Sequence, residues 1–300
     1  MESFTKHRSH FSLKIYDNTD NITLTAKPIT YKLISSLFPD FESQSPIGWK
    51  QSDNYKNVYN LWIPNDRLID NSLDDIRSWA ESANRFLWLS TNKNTKALFS
   101  GDEVDYVLAP DWNFDSNEKE HAEDPDPESD EFVRTELGEA EYQLKYHYQA
   151  LDENERNRYM ELLLGAVTAC IEFLPIDRQN CVVTAVPATE QGQEKLAWKL
   201  AKLVAQRMNL PFCGITLMQE RKKAKNMSVE EKVQLWRDIY QNPDSLSVPD
   251  DFRGKDVLII DDLYQSGATV WTMAEYLKRN GAHLVTSVSA VKALRDGDNT

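Results

Sequence analysis

The run Val257-Leu-Ile-Ile-Asp-Asp-Leu-Tyr-Gln-Ser-Gly-Ala-Thr269 constrains the fold of this chain more than any other stretch. Val257, Leu258, Ile259 and Ile260 are branched and apolar without interruption, which predicts a short strand buried on both faces, as in a parallel sheet. Arg253-Gly254-Lys255-Asp256 gives it a turn-rich lead-in. After the acids Asp261 and Asp262 come a small-residue turn and a helix whose apolar positions Val270, Met273, Ala274 and Leu277 fall at i, i+3, i+4 and i+7, closed by Asn280-Gly281. In open parallel sheets ligands sit beyond the carboxyl ends of the strands, and a helix N-terminus offers unpaired N–H groups and a positive dipole end to an anion. Ser266-Gly267-Ala268-Thr269 is thus placed to hold a phosphate. Asp261 and Asp262 can accept hydrogen bonds from a vicinal diol or hold a hard cation through water. A diol beside a phosphate describes ribose 5-phosphate; an acidic strand end with an ordinary turn is the alternative reading.

Length sets the frame for the rest. Three hundred residues suffice for one large or two ordinary domains, and 41% hydrophobic with 10% aromatic residues is the composition of a soluble globular protein. A formal net charge of -14 argues against nucleic-acid binding by bulk attraction and leaves only a local basic loop for that purpose. Met1 to His10 has no apolar core of a signal peptide, and no apolar run approaches membrane length, so a cytoplasmic location is expected. Cys170, Cys181 and Cys213 lie in apolar surroundings without Cys-x-x-Cys spacing, which predicts buried free thiols. The five histidines are scattered, and no histidine metal site is expected.

Residues 113–131 divide the chain. Nine acids stand there against Lys119 alone, and charges this dense cannot bury a core, so the segment reads as an extended acidic linker. Residues 1–112 are then a separate α+β domain. Asn21 to Lys27, Val58 to Ile63 and Arg85 to Ser90 read as strands, and Ser72 with Asp75 as the cap of a helix through Ala83. Trp49, Trp62, Trp79, Trp88 and Trp112 fall in this part and are expected to fill its core.

Residues 132–300 read as α/β. Leu137 to Tyr146 suggests a helix; Asp152 with Glu155 caps another whose buried stripe is expected at Leu162, Leu163, Ala166, Ala169, Cys170 and Phe173. Cys181 to Val186 is a second apolar strand, followed by the loop Pro187 to Gly192 and a helix carrying Leu196, Leu200, Leu203 and Val204. Phe212 to Met218 reads as the next strand. Arg221, Lys222, Lys223 and Lys225 follow, four bases in five residues, and Ser228 with Glu231 caps the helix beyond. A mobile basic loop suits a pyrophosphate leaving group; a solvated surface loop is the plainer alternative.

These residues together resemble the type I phosphoribosyltransferases, whose signature is four apolar residues, two acids and a short loop ending in Gly-x-Thr. Leu263, Ser266, Gly267 and Thr269 fit it; Tyr264 and Gln265 depart from its commonest form. The nearer resemblance is to the ComF-like branch, on Leu144-Lys145-Tyr146 after an early Leu-Gly pair, the basic loop and the acidic stretch. It spans about residues 131 to 295. Two features depart from it: no cysteine-rich zinc module precedes Cys170, and an Arg-Gly-Phe-Asn-Gln element is reduced to Gly192-Gln193.

The resemblance implies an open, mostly parallel sheet that binds phosphoribosyl pyrophosphate with Mg2+. The 5-phosphate would lie on Gln265, Ser266, Gly267, Ala268 and Thr269, and the ribose hydroxyls and the metal's water shell on Asp261 and Asp262. Pyrophosphate would meet Ala188, Thr189, Gly192, Arg221 and Lys223, with Lys222 stabilising the charge that develops as it leaves. Phosphoribose would pass to a base or nucleotide-related acceptor. The other reading is a non-catalytic sensor of a phosphorylated ribose that reports to a protein partner through residues 1–112. An effector in bacterial conflict or phage defence is a further form of it, and a dimer fits either.

Overall fold

Before Ser90 the strands alternate apolar and polar side chains, the pattern of a sheet covered on one face. β1 (Glu2–Thr5), β2 (Ser12–Asp17), β3 (Asn21–Ala26), β4 (Trp49–Gln51) and β5 (Tyr59–Pro64) pair antiparallel in the order β1-β2-β3-β5-β4. α1 (Pro28–Leu37) and α2 (Pro39–Ser43) follow β3; α3 (Ser72–Ala83) and β6 (Leu87–Trp88) follow β5. The register sets Ile15 against Leu24 and Leu24 against Leu61, so one face is continuously apolar and fully buried. Leu33 and Ile34 of α1 and Ile76, Ala80 and Ala83 of α3 are buried with it. Trp79 packs between Phe11 and Phe38, with ring centroids 5.6 and 5.4 Å away.

The computed structural model describes residues 1–91, 93–101, 103–115, 133–187, 195–218, 227–249 and 251–294. They divide into two units: Met1–Leu89 with Phe173–Pro175, and Ser90–Glu172 with Ile176–Thr300. The second unit holds, in chain order, α4 (Lys93–Lys96), β7 (Tyr106–Ala109), α5 (Glu136–Tyr146), α6 (Glu153–Ile171), β8 (Cys181–Ala185), α7 (Leu196–Met208), β9 (Thr216–Leu217), α8 (Val229–Gln241), β10 (Leu246–Ser247), β11 (Asp256–Tyr264), α9 (Ala268–Arg279) and β12 (Leu284–Lys292). Within it β7, β12, β11 and β8 run parallel in that order, so β11 has a neighbour on each side. Val257 to Ile260 are inaccessible to solvent, as a doubly covered strand requires. The chain is therefore α/β with a mostly parallel sheet in its C-terminal part, preceded by a separate sheet-rich unit. Among the described residues no helix is long and apolar enough to cross a membrane.

Several expectations shift. The units part at Leu89 rather than at 112, because β7 pairs with β12 and because Leu98 and Phe99 pack against Val229, Val233 and Ala268. Of the acidic linker, only 113–115 are described, and these are structured: Asn113 N–H bonds Lys292 O at 2.8 Å, and Phe114 bridges to Arg134. The five tryptophans do not share one core. Trp88 is buried, whereas Trp62 lies between Leu61 and Ile63 on β5 and so faces away, 38% exposed. Trp112 is buried in the second unit.

The α3 cap is Asn71, in left-handed backbone at φ 65°; Ser72 is the first helical residue and its hydroxyl donates to Ile69 O at 2.7 Å. On α6 the buried stripe is Leu163, Leu164, Val167, Cys170 and Ile171, rotated from the expected face and leaving Ala169 exposed. The strand expected from Phe212 to Met218 shrinks to a bridge between Phe212 and Val183 and the two residues of β9. Between the two, Gly214 packs against Trp198: a Cβ there would stand 2.6 Å from its ring. The three cysteines are buried, and both predicted capping boxes, Asp152 with Glu155 and Ser228 with Glu231, form.

Candidate functional site at the C-terminal end of β11

β11 does not stop at its apolar run. It continues through Asp261 and Asp262 to Tyr264, so the acid pair lies inside the strand near its C-terminal end. At this strand end the two carboxylates lie close enough to interact side chain to side chain, and Lys145 acts on Asp261 as well as on Asp262. Asp261 Oδ1 accepts the Asp262 N–H at 2.9 Å. Its register partner on β12 is Ser289, a fully buried residue whose hydroxyl has no hydrogen-bond partner among the described residues. Burial and then the charge of Asp262 drive the Asp261 carboxyl well above the usual carboxylate range, against the pull of Lys145.

Asp262 is already engaged. Its Oδ2 lies 3.1 Å from Lys145 Nζ, and the same ammonium is 3.0 Å from Glu141 Oε1, one helical turn back on α5. Glu141 is buried, and desolvation raises its pKa while Lys145 holds it down. For Lys145 desolvation is the largest single influence and opposes the charge, but Asp262 and Glu141 together outweigh it, and the ammonium is held charged far above neutral pH.

After Tyr264 the chain turns into α9. Gly267 sits at φ 82°, and a Cβ there would meet the Tyr264 hydroxyl at 2.2 Å, so glycine is required on both counts. The Tyr264 ring is buried under the turn and its hydroxyl accepts Trp271 Nε1–H at 3.2 Å. Ser266 Oγ accepts the Ala268 N–H at 3.3 Å, and Lys292 Nζ donates to Gln265 O at 3.2 Å. Thr269 and Val270 follow in the first turn of α9, where backbone N–H groups lack helical partners and the dipole favours an anion.

Beside the acids lies a cleft of about 840 Å³ bordered by Asp262, Lys145, Tyr146, His147, Tyr148, Lys195 and Lys199. Three lysines and two tyrosines share its walls with apolar residues such as Leu144, Met160 and Leu196, and Lys199 Nζ lies 4.0 Å from the Tyr148 ring centroid.

The structure therefore brings together Asp261, Asp262 and the turn Gln265, Ser266, Gly267, Ala268 and Thr269. Ala188, Thr189, Gly192, Arg221, Lys222 and Lys223 lie outside the described residues. Two participants carry no role in the reading of the sequence: Glu141, and Lys145 as the partner of Asp262. The spacing of Glu141 and Lys145 was visible, but their distant acid was not. As for a cation, no three His, Cys, Asp or Glu side chains converge on one among the described residues. Two carboxylates, one of them paired to a lysine, fit a Mg2+ that keeps most of its waters and takes further oxygens from a ligand.

A comparison of the sequence with curated proteins returned no match. Among solved structures the chain is similar to a hypoxanthine phosphoribosyltransferase from Staphylococcus aureus, at 13% identity and TM-score 0.30 over 43% of this chain and 61% of that one. It is similar to an adenine phosphoribosyltransferase from Thermoanaerobacter pseudethanolicus, at 15% identity and TM-score 0.30 over 45% and 81%. It is also similar to a phosphoribosylpyrophosphate synthetase from Mycobacterium smegmatis, at 17% identity and TM-score 0.27 over 46% and 35%. The chain thus spans less than two thirds of the first and third of these proteins. Residues 192–299 match the family described as phosphoribosyl transferase domain.

Proposed function

We propose that the second unit binds phosphoribosyl pyrophosphate with Mg2+ and transfers its phosphoribosyl group to a base or nucleotide-related acceptor. The observation that carries this reading is an acid pair at the end of a buried parallel strand that runs directly into a glycine-dependent turn and a helix N-terminus. The family match over 192–299 supports it.

In this reading the 5-phosphate sits on the turn from Gln265 to Thr269, where the amides of α9 face it. Asp261 and Asp262 accept hydrogen bonds from the ribose hydroxyls and fix the ring. Mg2+, held by these acids through water, would neutralise charge on the pyrophosphate. Arg221, Lys222 and Lys223 meet the pyrophosphate with Ala188, Thr189 and Gly192. The bond from C1 to the pyrophosphate oxygen breaks, pyrophosphate leaves with the electron pair, and an acceptor nitrogen bonds C1 through an oxocarbenium-like state and gives up its proton to water. The protein positions the partners and stabilises charge, and no covalent enzyme intermediate is needed.

The test is calorimetric titration of phosphoribosyl pyrophosphate with Mg2+ into wild type and Asp261→Asn/Asp262→Asn, beside thermal melting. Asparagine keeps the volume and removes the charge, so the double variant should melt near normally. It should lose about tenfold or more in affinity, since one charge-assisted hydrogen bond is worth about 1.5–3 kcal/mol. Unchanged affinity in a well-folded double variant would remove the phosphoribosyl reading. A screen of bases for pyrophosphate release then identifies the acceptor.

A further inference from the structure

We propose that Lys145, anchored by Glu141, is the built-in countercation of the acid pair and lowers the divalent-metal requirement for holding a ribose at Asp261 and Asp262. This rests on the reading of those acids as the ribose site. Lys145 Nζ stands 3.1 Å from Asp262 Oδ2, in the quarter where a cation would otherwise balance the carboxylates.

An exposed lysine wandering over a surface acid would carry no such role, because a solvated pair is loose and screened. This one is built in. Glu141 is 6% exposed in its side chain, and its one ion-pair partner among the described residues is Lys145, at 3.0 Å and four positions on. A buried glutamate is costly, and here it fixes the ammonium from behind while Asp262 faces it from the front.

The helix that carries both is itself fixed to the sheet. Thr135 Oγ1 caps α5 by accepting the Gly138 N–H at 2.9 Å and donates to Trp112 O at 2.6 Å. Gly138 lies so close to Asn113 that a Cβ would stand 1.9 Å from its carbonyl oxygen. Asn113 in turn bonds Lys292 O through its N–H and accepts the Leu294 N–H at 2.8 Å. α5 is therefore docked at the end of β12, the strand beside β11, and the reach of Lys145 is set by backbone packing. Lys145 is a positioning residue: it acts on a ligand through Asp262.

The experiment uses the full chain and two titrants, ribose 5-phosphate and Mg2+ alone. Wild type, Lys145→Met and Lys145→Arg are titrated with ribose 5-phosphate in EDTA and in Mg2+, with thermal melts to confirm folding. Wild type should change less than about threefold between EDTA and Mg2+; Lys145→Met should lose about tenfold or more in EDTA and regain most of it in Mg2+. Lys145→Arg should restore the wild-type response, and Lys145→Met should bind Mg2+ alone about tenfold more tightly than wild type.

A folded Lys145→Met that binds ribose 5-phosphate in EDTA as wild type does overturns the proposal. So does a loss that Mg2+ leaves uncorrected. A wild type that itself gains more than about tenfold from Mg2+ overturns it without any variant, should Lys145→Met fail to fold. If no variant binds ribose 5-phosphate but Lys145→Met still gains Mg2+ affinity, the countercation role stands and the ribose reading fails.

Discussion

At its N-terminal end β11 carries Asp256, and at its C-terminal end Asp261 and Asp262, in the same strand of the same sheet. Asp256 is buried; one carboxylate oxygen accepts the Asp177 N–H at 2.7 Å and the other lies 2.8 Å from His283 Nδ1. Its own N–H reaches Asn180 O at 3.0 Å. Every partner fastens a loop to the sheet. At the other end Asp261 takes one backbone N–H from its own neighbour, and Asp262 is held by a lysine and lines a cleft. An acid whose oxygens are met by neighbouring loops has a structural task. An acid whose pKa is raised by burial and by the charge of its neighbour, beside a second acid that leans on a single ammonium, is unfinished as structure and suited to a polar ligand.

The largest expected effect breaks the closed end. Asp256→Ala removes two hydrogen bonds to a buried carboxylate and leaves the Asp177 N–H unpaired, which should lower unfolding stability by about 3 kcal/mol in urea titrations. Affinity of the folded fraction for ribose 5-phosphate should stay within about twofold, because nothing in that cluster reaches the acid pair. Loss of affinity equal to that of the paired asparagine variant would erase the distinction between the two ends.

A somewhat smaller effect belongs to the open end. Gly267→Ala forces a Cβ into left-handed backbone and onto the Tyr264 hydroxyl, so the turn and the buried ring must shift. Stability should fall by about 2 kcal/mol, and ribose 5-phosphate binding by the folded protein should weaken about tenfold or more, since the phosphate amides move with the turn. An unchanged affinity would show that the turn does not hold the ligand.

How far the sequence discloses this arrangement depends on distance along the chain. β11, α9, Gly267 and the two capping boxes are local patterns, and each is readable because the residues that decide it are neighbours. The place of β7 is not: Tyr106 to Ala109 is four apolar residues that acquire meaning only when β12 arrives to pair with them. Trp62 shows the same limit from the other side. Composition says that tryptophan fills cores, but strand alternation turns this one outward. For the candidate site, both acids and the turn were legible as a strand, loop and helix in register. The pairing of Lys145 with Asp262 was not, because it depends on α5 docking at Asn113 and Lys292, which no periodicity encodes.

The smallest effect sharpens the comparison at the closed end. Cys181 on β8 is the register partner of Asp256, and its thiol is pushed up from 9.0 to about 12, first by burial and then by the charges of Asp256 and Asp177. A raised folded pKa contributes stability that is whole below the unfolded value and is lost as pH rises through the folded one. The window therefore runs from about pH 9 to 12, and stability should fall across it as the unfolded thiol ionises while the folded one stays protonated. Compared with Cys181→Ala, the wild type should lose about 1 kcal/mol between pH 9 and 10, read as the narrowing gap between paired urea curves. Other ionisations cancel in that difference, because both proteins share them. In an Asp256→Ala background the narrowing should grow shallower, since one of the charges that raises the thiol is gone. Parallel curves across the window would mean that the thiol ionises as readily in the folded chain as in the unfolded one, and that this end of β11 is open to water after all.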